Sequence, residues 1–363
     1  ETSNEVLERI HKAFSLWEEA SLGSLDLVYA GFSQPSYDSR AQVPYDGSIH
    51  LVLYGRNNFH GERGNANYRG TIPKEYKRGT IFLDKDPNAL TVRVIAHEIG
   101  HALGIAHGAS SASIMFSGPW ARTGYVVDKL TEQDSANLRA LWSPDSTGLY
   151  TIAGEVQTLH YHKMAFVFAV DVISGHTYST RSDHNGKFTL ALLKPGNYFL
   201  VAKAVEVSQD IKALDTQKFI PQSPGWYVRN GLSSPDYSRA TALKLTVDDP
   251  DIENINLKMI DKSAPFRLTR AQAVTGSNGL GILSPGDKIT LALHQVRNLS
   301  KVSGFGKSPD YYFQPVIRSA DGGTQVTLVT DAGATDGERL VLVRDRNGRS
   351  NIGLIGIYLG RKR

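Results

Sequence analysis

Three histidines and one glutamate, His97, Glu98, His101 and His107, stand at spacings that suit a catalytic metal. On a helix, His97 and His101 at i and i+4 share one face a turn apart, so both imidazoles can reach one ion. Glu98 sits about 100° round the helix from His97. That position serves to take a proton from a water on the metal rather than to bind the metal itself. Gly104 can adopt the left-handed conformation that ends a helix, which turns the chain and brings His107 back as a third ligand. Zinc accepts imidazole nitrogens at about 2.0–2.1 Å, and a catalytic site leaves its fourth position to water. A structural zinc would use four protein ligands and has no need of Glu98. A bare H-E-x-x-H arises by chance in roughly one or two chains per hundred of this size; adding the glycine and third histidine lowers that below about one in ten thousand. The chemistry this pattern points to is metal-assisted hydrolysis.

The stretch from His97 to His107 matches the extended H-E-x-x-H-x-x-G-x-x-H motif of the metzincin metalloproteases. Ser113-Ile114-Met115, with Met115 eight residues after His107, is similar to their Met-turn. The short loop, with Ser117 where other branches carry a tyrosine, resembles the matrixin-like branch. The resemblance implies a zinc-dependent endopeptidase acting on extracellular proteins, with one catalytic zinc on His97, His101 and His107 and Glu98 as general base on the zinc-held water. It also implies that Met115 forms an apolar floor under the metal; an ordinary core methionine is the plainer reading of the same residue. Residues 116–127 would wall the substrate pocket, with Pro119, Trp120 and Tyr125 as candidates. Their spacing departs from the Pro-x-Tyr of matrix metalloproteases, which leaves the pocket depth open.

Several elements must position these groups. Asp86 or Thr91 could cap the metal helix, and Val92, Ile95, Ile99 and Leu103 would bury its back face. Thr2-x-x-Glu5 is a capping box that opens a first helix, whose stripe is Val6, Ile10, Phe14 and Trp17. Leu25 to Ala30, Ser48 to Tyr54 and Gly79 to Leu83 have strand-like composition. An edge strand within Asn65 to Ile72 would pair with substrate backbone. Leu130-Thr131-Glu132-Gln133-Asp134 starts a capped closing helix packed through Leu138, Leu141 and Trp142. The resemblance to matrixin-like catalytic domains extends over residues 1 to 143. His60-Gly61-Glu62 lacks the companion histidines of a structural zinc site, so a second zinc is not expected. Asp84 and Asp86 offer carboxylates for a calcium ion, against the plainer reading of solvated loop charges.

The 363 residues suggest two or three domains, and 40% hydrophobic with 21% charged residues is the composition of a globular protein. A net charge of +4 is small for this length and points to no nucleic-acid partner. The apolar run Ala165 to Val170 is far too short to span a membrane. The absence of cysteine excludes disulfides, thiolate ligands and a thiol nucleophile together. The chain opens at Glu1 with no leader-like segment and reads as processed or trimmed, so it is silent on any signal peptide or propeptide. Localisation outside the cell, in a bacterial secreted protease, follows from the resemblance alone, and the expected state is a monomer with a protein or peptide substrate.

Helical periodicity stops at Ser143-Pro144-Asp145-Ser146-Thr147-Gly148. The expected fold class is therefore multidomain: an α+β metzincin catalytic domain over 1–147, followed by two all-β sandwich domains at 148–261 and 262–363. The first has strands at Thr151 to Val156, Ala165 to Asp171, Lys187 to Leu192 and Tyr198 to Ala204, and closes with Ala242 to Val247 and Ile255 to Met259. Asp183-His184-Asn185-Gly186 and Lys194-Pro195-Gly196-Asn197 are turn chemistry that links antiparallel strands. Ile173-Ser174-Gly175, Ser182-Asp183-x-Asn185-Gly186-x-Phe188 and Leu193-x-Pro195-Gly196-x-Tyr198 resemble carboxypeptidase regulatory-like, transthyretin-like sandwiches. His160 and His162 alternate on a strand and read as ordinary surface or core histidines. The last hundred residues repeat the strand-and-turn pattern and loosely resemble an immunoglobulin-like sandwich. Its expected strands run from Lys288 to Leu293, Tyr311 to Ile317, Gln325 to Thr330, Arg339 to Val343 and Ile352 to Leu359. Tyr311, Tyr312 and Phe313 read as mixed core and surface positions rather than an aromatic binding patch. These β-domains would bind substrate or a surface. The rival readings are a binding or adhesion protein with a degenerate protease attached, which the intact Glu98 opposes, and a zinc hydrolase of non-peptide substrates.

Overall fold

The computed structural model describes residues 3–31, 46–54, 64–71, 75–84, 90–110, 112–116, 129–143, 148–159, 164–192, 194–204, 222–229, 232–259, 267–270, 279–294, 299–306, 310–314, 317–318, 324–346 and 350–357. The chain divides into two compact units, Glu1–Ala106 with Val127–Thr147, and His107–Val126 with Gly148–Arg363.

The first unit carries the helices: α1 (Ser3–Ser21), α2 (Val92–Ala102) and α3 (Glu132–Trp142). Ile10, Ala13, Trp17 and Ala20 recur at helical spacing and form the buried stripe of α1, while Val6 and Phe14 are half-buried at its edge. The Trp17 indole donates from Nε1 to the Ala96 carbonyl at 2.9 Å, which ties α1 to α2. Thr2 of the expected capping box lies outside the described residues. Replacing Trp17 with Ala should cost the N-terminal unit about 3–5 kcal/mol, the range for deleting a buried aromatic. A denaturation curve followed by the helical signal should shift to lower midpoint, with the β-rich unit's own transition unmoved.

The described strands of this unit are β1 (Ile49–Tyr54), β2 (Gly64–Thr71) and β3 (Glu75–Asp84). The order is β1-β3-β2, with β1 parallel and β2 antiparallel to β3. Central β3 is buried from Arg78 to Leu83, as expected of a strand flanked on both sides. β2 lies at the sheet edge, where an edge strand was expected. Leu25 to Ala30 forms no strand: its side chains alternate half-buried and exposed, yet the segment pairs with no described strand. Instead the Leu27 N–H donates to Glu18 Oε1 at 2.8 Å, so the stretch is tethered to α1.

The second unit is built of strands. Its first part contains β4 (Tyr150–Thr158), β5 (Ala165–Asp171), β6 (Thr177–Arg181), β7 (Lys187–Leu192), β8 (Gly196–Ala204), β9 (Gly225–Val228), β10 (Leu232–Ser234), β11 (Ala242–Leu245) and β12 (Asp251–Met259). One sheet runs β10-β9-β8-β5-β6 with β11 also on β8, the other β12-β4-β7. Ile152, Leu190, Leu200 and Leu257 lie between them in one core. Asp183 makes the expected turn: its Oδ1 accepts from Asn185 N and Lys187 N at 2.8 and 2.9 Å, and Gly186 takes φ +90°. His160 and His162 lie outside the described residues.

The rest contains β13 (Arg267–Arg270), β14 (Gly279–Leu283), β15 (Lys288–His294), β16 (Leu299–Ser303), β17 (Tyr311–Phe313), β18 (Ile317–Arg318), β19 (Thr324–Thr330), β20 (Gly337–Asp345) and β21 (Ser350–Ile357). These form sheets β13-β15-β19-β17, with β18 also on β19, and β14-β21-β20-β16. The strand expected from Tyr311 to Ile317 is two short pieces, β17 and β18, both paired to β19. Within it Tyr311 is buried and Tyr312 is 54% exposed, so the aromatic run is split between core and surface.

A third apolar layer joins the two halves of this unit. Phe168, Val170, Val201 and Trp226 pack with Phe305, Leu340, Leu342, Ile352 and Leu354. Strands buried on both faces lose their alternation, which accounts for the continuous burial of β21 and of β5 from Val167 to Val170. Polar contacts close the same seam. Lys203 Nζ donates to the Ile352 carbonyl at 2.9 Å, and buried Arg339 pairs with Asp310 while donating from Nη2 to His176 Nε2 at 2.8 Å.

Candidate metal centre

The metal helix is α2, and Thr91 caps it. Thr91 has extended dihedrals and its Oγ1 accepts from Val94 N at 3.3 Å; Asp86, the other cap candidate, lies outside the described residues. Ile95, Ile99 and Leu103 are fully buried, as the apolar stripe predicts, with Val94 beside them and Val92 half-buried. At the far end Gly104 takes φ +93°. Gly104 N donates to His101 O at 3.0 Å and Ile105 N to Gly100 O at 2.8 Å, the paired bonds of a Schellman ending. The left-handed position is why a glycine stands three residues before His107.

The two helical imidazoles meet edge to face with ring centroids 4.7 Å apart. One ring nitrogen each from His97, His101 and His107 all lie within 4.8 Å of one another, a group that could hold a metal ion. Nitrogens set tetrahedrally about 2.1 Å from a zinc are about 3.4 Å apart, so the donor set fits that ion in kind and in spacing. His101 Nδ1 lies 2.8 Å from the Ile105 carbonyl. A carbonyl only accepts, so that nitrogen carries the proton and Nε2 is left as the ligating atom. The turn made possible by Gly104 therefore also sets the tautomer of the second histidine. His97 and Glu98 are 4% and 5% exposed, so both lie largely shielded from water.

The loop after His107 is closed on itself. Gly108 N donates to Met115 O at 2.8 Å, Met115 N to Ser113 Oγ at 2.8 Å, and Ala112 N to Ser110 Oγ at 3.1 Å. Met115 is 1% exposed and its neighbours Ala112, Ser113, Ile114 and Phe116 are buried with it. Pro119, Trp120 and Tyr125, and the loop with His60 and Glu62, lie outside the described residues, as does the side chain of Asp84.

Two side chains that spacing did not single out for this role secure the end of α2. Tyr76 OH donates to Ala102 O at 2.9 Å and Trp142 Nε1 to Leu103 O at 3.0 Å, satisfying carbonyls that a helix end leaves open. Burial pushes the Tyr76 phenol well above its usual value, so it remains a donor throughout the neutral range. The two rings also meet edge to face at 5.5 Å. Tyr76 and Trp142 stand 66 residues apart, and no local pattern links them. Closing α3 is capped as expected: Thr131 Oγ1 accepts from Asp134 N and the Asp134 carboxylate from Thr131 N, at 3.1 and 3.0 Å.

A capped helix carrying H-E-x-x-H, a glycine-made turn and a third imidazole thus bring together three nitrogens that could hold a metal ion. Residues 1–143 match the family model of the matrixins, peptidase family M10. This part of the chain is matrixin-like, and the match supports a zinc metalloprotease domain there. Among solved structures, the chain is similar to SGBP-B of the Bacteroides ovatus mixed-linkage glucan utilization locus, in complex with a mixed-linkage heptasaccharide. The two share 14% identity over 58% of this chain and 38% of that one, with a TM-score of 0.20. The chain thus spans well under two thirds of that structure's length, and so weak a superposition says nothing of fold or ligand.

Proposed function

We propose that the protein is a secreted zinc endopeptidase that hydrolyses peptide bonds of extracellular proteins. The observation that carries this reading is the convergence of three imidazoles, two on the buried helix that bears Glu98 and one on the loop after it, within the matrixin-matching segment. His97, His101 and His107 would hold zinc, which supplies a Lewis acid for the scissile carbonyl and acidifies a water. Glu98 takes the proton of the attacking water on its carboxylate and passes it to the amine that leaves as the C–N bond breaks. Buried Met115 would form an apolar floor under the metal. β2 offers the substrate an edge strand, adding a fourth strand to the β1-β3-β2 sheet. No described helix is long and apolar enough to cross a membrane.

Purified protein incubated with mixed protein substrates should cleave them, lose that activity to a zinc chelator, and regain it on zinc addition. Cleavage that persists through exhaustive chelation would remove the metal from the mechanism. Surface or ligand binding with no cleavage in either condition would favour the adhesion reading instead.

A further inference from the structure

We propose that β21, the last described strand of the chain, is a structural part of the metal centre because it seats the loop that carries His107 and Met115. The inference rests on the reading of His107 as a metal ligand and adds a task for the C-terminal β-domain that is not substrate binding. Three observations carry it. The segment His107–Val126 belongs to the same compact unit as Gly148–Arg363. Ala109, two residues after His107, is 2% exposed and joins the apolar layer of Trp226, Phe305, Ile352 and Leu354. At Gly356 the approach is closer still. A Cβ added there would stand 2.5 Å from Ala112 Cβ, with Ser110 Oγ at 3.4 Å and Ala112 Cα at 3.5 Å. Gly356 has no positive φ, so space and not backbone conformation requires the glycine.

The loop needs such a seat. Among its described residues, the only regular pairing between Gly108 and Phe116 is the single bridge linking those two, and none of them lies in a named strand or helix. β21 can fix its place, because it runs between β14 and β20 and is buried along its whole length. A ligand carried on a loop reaches metal-binding geometry only when its support is rigid. Ala109 in the shared layer and Ala112 against Gly356 set the loop at two points, and the Gly108 to Met115 hydrogen bond closes it between His107 and the methionine.

The test is a size swap in the full-length zinc-loaded protein, read as the rate of zinc release to a chromogenic chelator. Gly356→Ala should speed release by about 10–100-fold, the range for disturbing outer support of a metal ligand. Adding Ala112→Gly removes the opposing methyl and should restore the rate to within about threefold of wild type. Release at the wild-type rate from folded Gly356→Ala protein, or no rescue in the double variant, would overturn the proposal. Hydrogen exchange on the zinc-free wild-type chain checks the same point without any variant. Residues 108–116 should stay as protected as β21, and fast exchange in the loop beside a protected β21 would also overturn it. Neither readout uses a substrate. A chain that keeps zinc but cleaves nothing sinks the protease reading while the seat stands, and a chain that binds no zinc at these histidines sinks both.

Discussion

Glu98→Gln should lower peptide cleavage by about 10²–10⁴-fold, the usual contribution of a positioned general base, while zinc content and folding stay at wild-type values. The amide has the shape of the carboxylate, so this nearly buried position keeps its packing, which an alanine would not. What is lost is the ability to accept a proton from the attacking water. The measurement is kcat/KM on a cleaved peptide beside zinc content by elemental analysis. An active Glu98→Gln enzyme would remove Glu98 from the proton path. Loss of zinc from that variant would instead recast Glu98 as part of the binding site.

His101→Ala should act on the other half of the centre. It removes a ligand outright and leaves the Ile105 carbonyl without the imidazole that faces it at 2.8 Å. Removing outer support of a metal ligand costs about 10–100-fold in affinity, so loss of a ligand itself should exceed about a hundredfold. Binding to the folded state raises stability by mass action, about 2.7 kcal/mol at a hundredfold excess of ligand over Kd. Zinc should therefore raise the melting temperature of the wild-type N-terminal unit and leave His101→Ala unmoved. An equal zinc-induced rise in both would place the metal elsewhere.

These two experiments concern residues that were legible in the linear chain. The metal helix is a local object: its cap Thr91, its apolar stripe and Gly104 at its end all lie within a dozen or so residues, and each has a conformational reason for its identity. Strands such as Ala165–Asp171 and Lys187–Leu192 were legible at their observed limits because turn residues bound them. What spacing does not encode is the neighbour. A period of two identifies a strand, but the parallel pairings of β4 with β12 and β14 with β21 join segments far apart in sequence. Leu25 to Ala30 shows the converse, a strand pattern whose backbone is engaged by Glu18 instead. Tyr76 and Trp142 at the end of α2 were illegible for the same reason. The apolar layer through Trp226 and Phe305 left one trace, the unalternating run from Ala165 to Val170, which reads as a strand covered on both faces only once its partners are known.

One zinc on His97, His101 and His107 is proposed to make the protein a peptidase. Titrating zinc into the metal-free chain while following peptide cleavage tests it most directly. The predicted result is activity that rises in proportion to added zinc and stops rising at one equivalent per chain. Cleavage at full rate before any zinc is added, or none at any zinc concentration although the metal binds, would contradict it.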